Sequence, residues 1–324
     1  MSLATIARSA FLEVNEFEKQ YKNHLSGFTD WDQKDHADKW ILFEENIGEK
    51  LSIDEVAITN GELYTVVTNK KAKGGKGAMV AIVAGTKSTD VITVLEKIPI
   101  GKREKVSEVT LDMSNAMDAI IKGSFPKVTI VTDRFHVQQL VTQAVQEIRI
   151  ALRREAIKEE SRAILRARKN KKKNTYRPSI YENGDTKKQL LARSRYLLFK
   201  SESKWTESQQ ARAAILFKEF PELHHAYNIA ILFRSWYENN TNKQQAKEEL
   251  QEWYKKVEEE NIEPFLVAAE SIKAYEDTIL NYFNNRSTNA SAESFNAKLK
   301  GFRTLVRGVR DIKFFLFRVS KLYG

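Results

Sequence analysis

The chain has 324 residues, of which 42% are hydrophobic and 10% aromatic, which is enough apolar material for one large core or two smaller ones. This composition excludes an intrinsically disordered protein. The formal net charge of +10 favours an anionic partner, either a nucleic acid or an acidic membrane surface. The absence of cysteine excludes disulfides, cysteine zinc sites and thiol nucleophiles, so any metal must be held by oxygen or imidazole ligands.

The sequence indicates neither a membrane segment nor a secretion signal. No window approaches the roughly 18 apolar residues of a membrane helix, and the amino terminus lacks a basic and then apolar pattern. We therefore expect a soluble, cytoplasmic protein without a membrane partner.

Residues 1–48 have helical spacing and no recognisable DNA-reading motif, so we interpret them as a helical leader that packs on the core. From Leu51 the hydrophobic residues alternate, which predicts three antiparallel strands joined by turns at Asn60-Gly61 and at residues 73–77. The predicted strands are Leu51–Ile58, Leu63–Val67 and Ala78–Val83.

Helices and strands alternate in the next segment. Because crossover connections favour parallel strands, we expect the fourth and fifth strands to run beside the first. The fold class is therefore α/β, with a mixed five-stranded sheet. The predicted elements are a helix from Asp90 to Lys97, a strand Val106–Leu111, a helix Asn115–Lys122 and a strand Val128–Val131.

The pattern from Gln138 to about Leu280 is almost wholly helical, which indicates a helical subdomain inserted after the five strands. We therefore divide the chain into a leader (1–48), the first part of an α/β core (49–137), a helical insertion (138–284) and a carboxy-terminal helical part that completes the core (285–324).

Two aspartates lie within an apolar strand or directly after one. Asp54 interrupts the first strand, where an aspartate is disfavoured, and Asp112 follows the fourth strand. If these strands are parallel neighbours, the two carboxylates face each other and repel unless a cation lies between them. Hard oxygen ligands of this kind suit Mg²⁺.

Each of these residues also has a structural alternative. Asp112 could be a helix cap or a turn residue, with Ser114 and Asn115 sharing the capping role. Asp133 and His136, at the end of the fifth strand, could approach the same site, or could cap the next helix and hydrogen-bond locally. The choice between Asp112 and Asp133 as the second metal ligand therefore stays open. Glu55 belongs to the opposite face from Asp54, and we interpret it as a solvent-side or salt-bridge residue.

A third acidic candidate lies near the carboxyl end of the chain. The segment after Asn289 predicts a helix, opened by Asn289 or Ser291, in which Glu293, Asn296 and Lys300 share one face. This face offers a carboxylate to a metal and an amide and an ammonium group to a phosphate. In isolation, however, a glutamate in a first helical turn is ordinarily only a favourable partner of the helix dipole.

Two basic segments carry most of the positive charge. Residues 149–177 have a net charge of +9 and residues 298–321 a net charge of +7, so the rest of the chain is mildly acidic. Localised positive charge beside carboxylates suits the binding of DNA phosphates around a metal site, although the first segment could also be a solvated helix face. The candidate DNA-binding residues are Arg149, Arg153, Arg154, Lys171, Lys172, Lys173, Lys298, Lys300, Arg303, Arg307 and Arg310.

These segments together resemble the DDE transposases of bacterial insertion sequences, specifically the ISL3 group and its ISAon-like branch, over roughly residues 51–323. The sequences that carry the resemblance are Ile53-Asp-Glu55, Leu111-Asp-Met113, Val131-Thr-Asp-Arg-Phe-His136, Ala292-Glu-Ser-Phe-Asn296 with Lys300 and Arg303, and Gly308-Val-Arg310.

The resemblance implies an RNase H-like core with a helical insertion between the second catalytic aspartate and the glutamate. It also implies two Mg²⁺ ions, replaceable by Mn²⁺, and an in-line phosphoryl transfer that cleaves transposon ends and joins them to target double-stranded DNA. No covalent enzyme intermediate is expected. The implied catalytic residues and metal ligands are Asp54, Asp112 and Glu293, supported by Asp133, His136 and Asn296.

Members of the wider group carry an amino-terminal zinc-binding and helix-turn-helix region, which this chain lacks. The resemblance therefore implies either a separate helix-turn-helix protein that reads the transposon ends or an incomplete chain. It further implies a homodimer on DNA, associated with the bacterial nucleoid. Two other functions stay open: an RNase H-like nuclease or resolvase without strand transfer, and a catalytically inactive DNA-binding derivative.

Overall fold

A computed structural model describes residues 3–59, 61–169 and 176–324. The chain divides into two compact units: unit 1 consists of Met1–Asp133 and Asn285–Gly324, and unit 2 consists of Arg134–Asn284. Within the described ranges, no helix combines the length and the apolar composition that crossing a membrane requires.

Unit 1 is built on one mixed sheet of six strands in the order β1-β4-β3-β2-β5-β6. The hairpin-connected strands β2, β3 and β4 are antiparallel, whereas β5 runs parallel to β2, and β6 runs parallel to β5. The strands are β1 (Trp40–Leu42), β2 (Lys50–Thr59), β3 (Glu62–Asn69), β4 (Met79–Ala84), β5 (Glu108–Leu111) and β6 (Thr129–Thr132).

The helices fall into three groups along the chain. Those before unit 2 are α1 (Leu3–Ser9), α2 (Val14–Gln20), α3 (Ser88–Leu95), α4 (Ile100–Arg103) and α5 (Asn115–Ser124). The central group is α6 (Arg134–Lys169), α7 (Lys187–Arg193), α8 (Glu207–Glu219), α9 (Pro221–Asn239), α10 (Lys243–Glu260), α11 (Glu263–Ala274), α12 (Glu276–Leu280) and α13 (Tyr282–Asn285). Two helices follow, α14 (Ala290–Leu305) and α15 (Ile312–Tyr323).

The structure confirms an α/β fold with a mixed sheet, but the predicted strand number and one predicted neighbour were wrong. The sheet has six strands because Trp40–Leu42, in the segment predicted as a helical leader, pairs with β4 at the edge. A strand of three residues is too short for alternation to reveal it. The predicted fifth strand pairs with β5 rather than with β2. Residue 60 of the predicted hairpin turn lies outside the described residues, and Thr59 pairs with Glu62 across it.

Side chains of β2 alternate between the two faces of the sheet, and different helices cover each face. On one face, Leu51 and Ile53 are fully buried in a core shared with α3 and α5. On the other face, Val56 and Ile58 are buried in a core shared with α14 and α15. We call these the α5 face and the α14 face. Because Asp54 has the same parity as Val56 and Ile58, it belongs to the α14 face.

Unit 2 is a bundle organised around the long helix α6, which packs against α7, α9 and α11. Its core contains the buried aromatic residues Tyr227, Phe233, Trp236 and Trp253. Prolines in the first turns of α9 and α11 fix the starts of these helices, where a missing backbone N–H costs nothing.

Candidate active site

Asp54 is half-buried on β2, and its carboxylate is held by hydrogen bonds within unit 1. Asn296 of α14 donates from Nδ2 to Oδ2 of Asp54 at 2.5 Å, and the backbone N–H of Glu55 donates to Oδ1 at 2.8 Å. Asn296 itself is buried. The amide group of Asn296 on α14 therefore offsets part of the cost of placing the Asp54 carboxylate in an apolar strand. The side chains of Asp54 and Asn296 are in direct contact.

The pairing of β5 with β2 sets the position of Asp112. Thr110 of β5 pairs with Ser52 of β2 in parallel register. Asp112 lies two residues after Thr110, and Asp54 lies two residues after Ser52. The helix after Asp112 is capped by Ser114, whose Oγ accepts the backbone N–H of Met117 at 3.5 Å. Ser114 therefore fills the capping role that was the structural alternative for Asp112.

Asp112 and Asp133 follow adjacent parallel strands and lie close together. Leu111 pairs with Thr132, and carboxylate oxygens of the two aspartates lie within 4.8 Å of each other. Asp133 is only 2% exposed, and it accepts the backbone N–H of Asn289 at 3.0 Å. Two carboxylates this close favour a bound cation, which relieves their repulsion.

The other two predicted metal ligands, Asp54 and Glu293, do not belong to this compact group of ligand atoms. Among the residues that the structure describes, neither Asp54 nor Glu293 belongs to a group of three carboxylate or imidazole ligand atoms within 4.8 Å of one another. Glu293 is exposed in the first turn of α14, one helical turn before the Asn296 amide that binds Asp54. His136 lies in the first turn of α6, three residues after Asp133, and belongs to unit 2.

From the sequence, Glu55 was interpreted as a solvent-side or salt-bridge residue. It is half-buried, and it makes no ion pair with the residues the structure describes. Burial, together with the negative charge of Asp112, raises the pKa of Glu55 above its usual value. Glu55 therefore adds to the negative field around Asp112, and its only signal in the sequence was its position next to Asp54.

Asn289 is a second residue whose surroundings the sequence did not reveal. It precedes α14 and is fully buried, yet its side chain makes no capping hydrogen bond to that helix. Neither Oδ1 nor Nδ2 of its amide bonds any described residue, and Oδ1 of Asn296 is unpaired in the same sense. A buried polar atom without a partner costs about 1–3 kcal/mol. The Asn289 amide and the carboxylates of Asp112 and Asp133 are donors of the kind that suits a hard cation such as Mg²⁺.

Buried Glu108 on β5 holds the segment that precedes α14. It accepts hydrogen bonds from Ser287 and from Asn285, the latter at 2.5 Å, and Nζ of Lys70 lies 3.4 Å from its carboxylate. Burial alone would raise the pKa of Glu108, but these hydrogen bonds and the charges of Lys70 and Lys50 lower it below its usual value. The network ties residues 285–287 to the sheet, just before Asn289.

The loop between β3 and β4 packs against the first turns of α14. Gly74 has a φ of 69°, and a Cβ at this position would come within 3.1 Å of the backbone nitrogen of Phe295. Any other residue would be strained in this conformation and would require the backbone of Phe295 to shift. Lys298 donates from Nζ to the carbonyl oxygen of Gly74 at 2.8 Å, so this predicted DNA contact is engaged within unit 1.

The remaining predicted DNA contacts differ in exposure. Arg149 is only 6% exposed and donates to the carbonyl of Leu191 at 2.9 Å, so its guanidinium group is part of the interior of unit 2. Arg303 is half-buried and donates to the carbonyl of Ala57 at 3.4 Å. Lys171, Lys172 and Lys173 lie outside the described residues. The candidates with exposed side chains are Arg153, Arg154, Lys300, Arg307 and Arg310.

The sequence matches known transposases over most of its length. A family model described as a transposase, that of the ISL3 group of DDE enzymes, matches residues 51–319. The transposase for insertion sequence element IS1001 of Bordetella parapertussis is 22% identical over 278 residues, which are 85% of this chain and 61% of that protein. This chain thus spans less than two thirds of that relative. No solved structure matches it significantly. Because the family match covers well over half of the sequence, the chain belongs to the ISL3 family of DDE transposases.

Proposed function

We propose that this chain is a DNA transposase that cleaves transposon ends and joins them to target DNA by metal-dependent phosphoryl transfer. The observation that carries the proposal is the pair of carboxylates, Asp112 and Asp133, within 4.8 Å of each other at the ends of adjacent parallel strands. Such a pair, in a chain of this family, suits the binding of divalent cations for cleavage of a phosphodiester.

We assign the sheet of unit 1 to the RNase H-like class and the helical segment 138–284 to an insertion within it. Three antiparallel strands followed by two parallel ones, in the order β4-β3-β2-β5-β6, support this assignment. On this assignment, residues 49–137 and 285–324 together form the catalytic core, and β1 is an addition at its edge.

Asp54, Asp112 and Glu293 are the proposed ligands of two Mg²⁺ ions, which Mn²⁺ can replace. When bound, these ions would supply activation of a water or a 3′-hydroxyl group and stabilisation of the leaving oxygen. The closeness of Asp133 to Asp112 supports Asp133 as a further ligand candidate, the alternative that the sequence left open, as well as a supporting residue. Glu293, which is exposed on α14 one turn before Asn296, is the third proposed ligand.

The residues around these carboxylates orient them. Asn296 fixes the carboxylate of Asp54 by its 2.5 Å hydrogen bond, and the backbone N–H of Asn289 fixes that of Asp133. His136, three residues after Asp133, is proposed as a supporting residue. None of these side chains is expected to form a covalent bond to DNA, because water or a 3′-hydroxyl group is the nucleophile.

Double-stranded DNA is the proposed substrate. The exposed cationic residues of α6, Arg153 and Arg154, would bind phosphates, and so would Lys300, Arg307 and Arg310 near the carboxyl end. A separate helix-turn-helix protein for reading the transposon ends, a homodimer on DNA and a cytoplasmic, nucleoid-associated location belong to the same proposal.

The test is a cleavage and joining assay on labelled transposon-end DNA with Mg²⁺. Asp54→Asn and Glu293→Gln should each reduce cleavage by more than about 100-fold, the upper range for losing a residue that merely supports a metal site, while DNA binding is kept. Asp118→Asn is the matched control, because Asp118 makes a surface ion pair with Lys122 on α5. It should cleave like the wild type.

Equal cleavage by the wild type and both variants would remove the catalytic assignment. Cleavage without joining would identify the second candidate, an RNase H-like nuclease or resolvase, which shares the same carboxylates. DNA binding by a wild-type chain that does not cleave would identify an inactive DNA-binding derivative.

A further inference from the structure

We propose that Asn289 is a further residue of the metal site, whose side-chain amide is an additional oxygen donor for the divalent cation held by Asp112 and Asp133. This inference rests on the proposed function. It assigns a role to a residue that helix capping does not explain.

The first observation is the position of Asn289. Its backbone N–H donates to Oδ1 of Asp133 at 3.0 Å, and the carboxylate of Asp133 lies within 4.8 Å of that of Asp112. An asparagine side chain is short, with only two rotatable bonds, so its amide group stays near the backbone atom that binds Asp133. The amide is therefore close to the carboxylate of Asp133.

The second observation is the state of the amide group. Asn289 is fully buried, and neither polar atom of its side chain bonds any residue within the described parts of the chain. Most buried polar side-chain atoms in proteins have a partner, so two unpaired atoms on one residue require an explanation. A cation with its hydration shell, bound beside Asp133, gives both atoms partners.

The ordinary structural role of an asparagine at this position is excluded. Asn289 directly precedes α14, where its side chain would normally accept a backbone N–H of the first turn, but it makes no such bond. Its backbone carbonyl accepts the N–H of Glu293 at 3.0 Å, as any residue type allows. The side chain thus contributes nothing to the start of the helix.

The chemistry of an amide suits this place. Asparagine carbonyls are common oxygen ligands of hard divalent cations. An amide adds a donor without adding negative charge, at a place where the carboxylates of Asp112 and Asp133 already repel each other. A third carboxylate in the same place would increase that repulsion.

The segment that carries Asn289 is fixed before any cation binds. Hydrogen bonds from Asn285 and Ser287 to buried Glu108 hold it on one side, and the bond from Asn289 to Asp133 holds it on the other. Position and burial of the amide are therefore set by the protein, which is how a preorganised ligand is built.

The test measures Mn²⁺ binding and thermal unfolding of the full chain with Asn289→Leu, which keeps the size and removes the polar atoms. We expect the Kd for Mn²⁺ to rise about tenfold or more, as for other residues that support metal sites, and the Mn²⁺-induced rise in Tm to shrink accordingly. Without metal, the Tm should stay the same or rise, because a buried unpaired amide is removed.

Thr68→Val is the matched control. Thr68 on β3 is also fully buried, and its hydroxyl is likewise without a hydrogen-bond partner among the described residues. Its replacement should leave the Tm without metal unchanged or higher, as for Asn289→Leu, but should leave the Kd for Mn²⁺ unchanged. A rise in Kd for both variants would overturn the specific role of Asn289.

The other outcomes are also decisive. If the wild type binds Mn²⁺ and Asn289→Leu binds it equally well, Asn289 is not a donor, while the proposed function stands. If the wild type binds no Mn²⁺, the metal-dependent function itself fails. Should Asn289→Leu not fold, Asn289→Asp keeps the size and the oxygen: it should bind Mn²⁺ at least as tightly as the wild type, and weaker binding would contradict the inference.

Discussion

The two faces of the sheet in unit 1 use the same strands for different purposes. The core of the α5 face is apolar, with Val91, Val109 and Ile121 among its fully buried residues. The α14 face has an apolar core too, but it also carries Asp54 and the buried carboxylate of Glu108. One face therefore provides stability, whereas the other also holds costly polar groups, which the proposed chemistry would use.

Asp112→Asn should give the largest effect on the polar side of this comparison. Cleavage of transposon-end DNA should fall by more than about 100-fold, because a proposed metal ligand is lost. The Tm without metal should stay the same or rise, because the carboxylate within 4.8 Å of Asp133 is gone. Cleavage rates and thermal unfolding measure the two quantities, and a large loss of Tm with retained cleavage would reverse the comparison.

Ile121→Ala should give the opposite result on the α5 face. Ile121 is fully buried, so truncation should lower the free energy of unfolding by about 2–5 kcal/mol through lost burial and a cavity. Cleavage by the folded fraction, measured well below the Tm, should match that of the wild type. A selective loss of cleavage in folded Ile121→Ala would show that the faces are not separate in function.

Glu108→Gln changes a buried carboxylate on the α14 face. It should lower the free energy of unfolding by about 3 kcal/mol at neutral pH, since Lys70 loses its buried partner. The pKa of Glu108 is lowered on folding, so the stability that the carboxylate contributes is complete above its ordinary value of 4.5 and is lost as the pH falls through the lower folded value. Denaturant unfolding from pH 7 to pH 3 should therefore show the gap between wild type and variant closing only below about pH 4.5. A gap independent of pH would rule out the carboxylate as its source.

The smallest effects should separate two arginines of α6. Arg153→Ala removes an exposed charge and should reduce the salt dependence of DNA binding by about 0.9 in the slope of log K against log salt, without lowering the Tm. Arg149→Ala removes the donor to the Leu191 carbonyl and should lower the stability of unit 2 by about 1–3 kcal/mol with no change in slope. If Arg149→Ala reduced the salt slope and Arg153→Ala did not, Arg149 rather than Arg153 would be the DNA contact.

The sequence predicted those parts of the fold that depend on local pattern. Alternation over Leu51–Ile58 predicted a strand that the structure extends to Lys50–Thr59, and helical spacing after Asn289 predicted α14. It also predicted β5 beside β2, because crossover connections restrict the arrangement. The edge strand Trp40–Leu42 was missed because three residues carry no readable period.

The candidate site was predictable in residue type but not in arrangement. Asp54 was predicted as a site residue because an aspartate in an apolar strand is exceptional. The partnership of Asp133 with Asn289 joins residues 156 positions apart, and no local pattern encodes it. The burial of Arg149 was likewise hidden, because a basic run looks the same whether one of its members points outwards or into a bundle.

The central claim is that carboxylates on this sheet place a metal ion on the scissile phosphate of DNA. A transposon-end duplex with sulfur in place of one non-bridging oxygen at the cleavage position tests it most directly, because Mg²⁺ binds sulfur poorly and Mn²⁺ binds it better. We expect one sulfur isomer to be cleaved slowly by the wild type with Mg²⁺ and at a largely restored rate with Mn²⁺. Equal cleavage of the oxygen and sulfur substrates with Mg²⁺, or no recovery with Mn²⁺ for either isomer, would contradict direct metal contact with the phosphate.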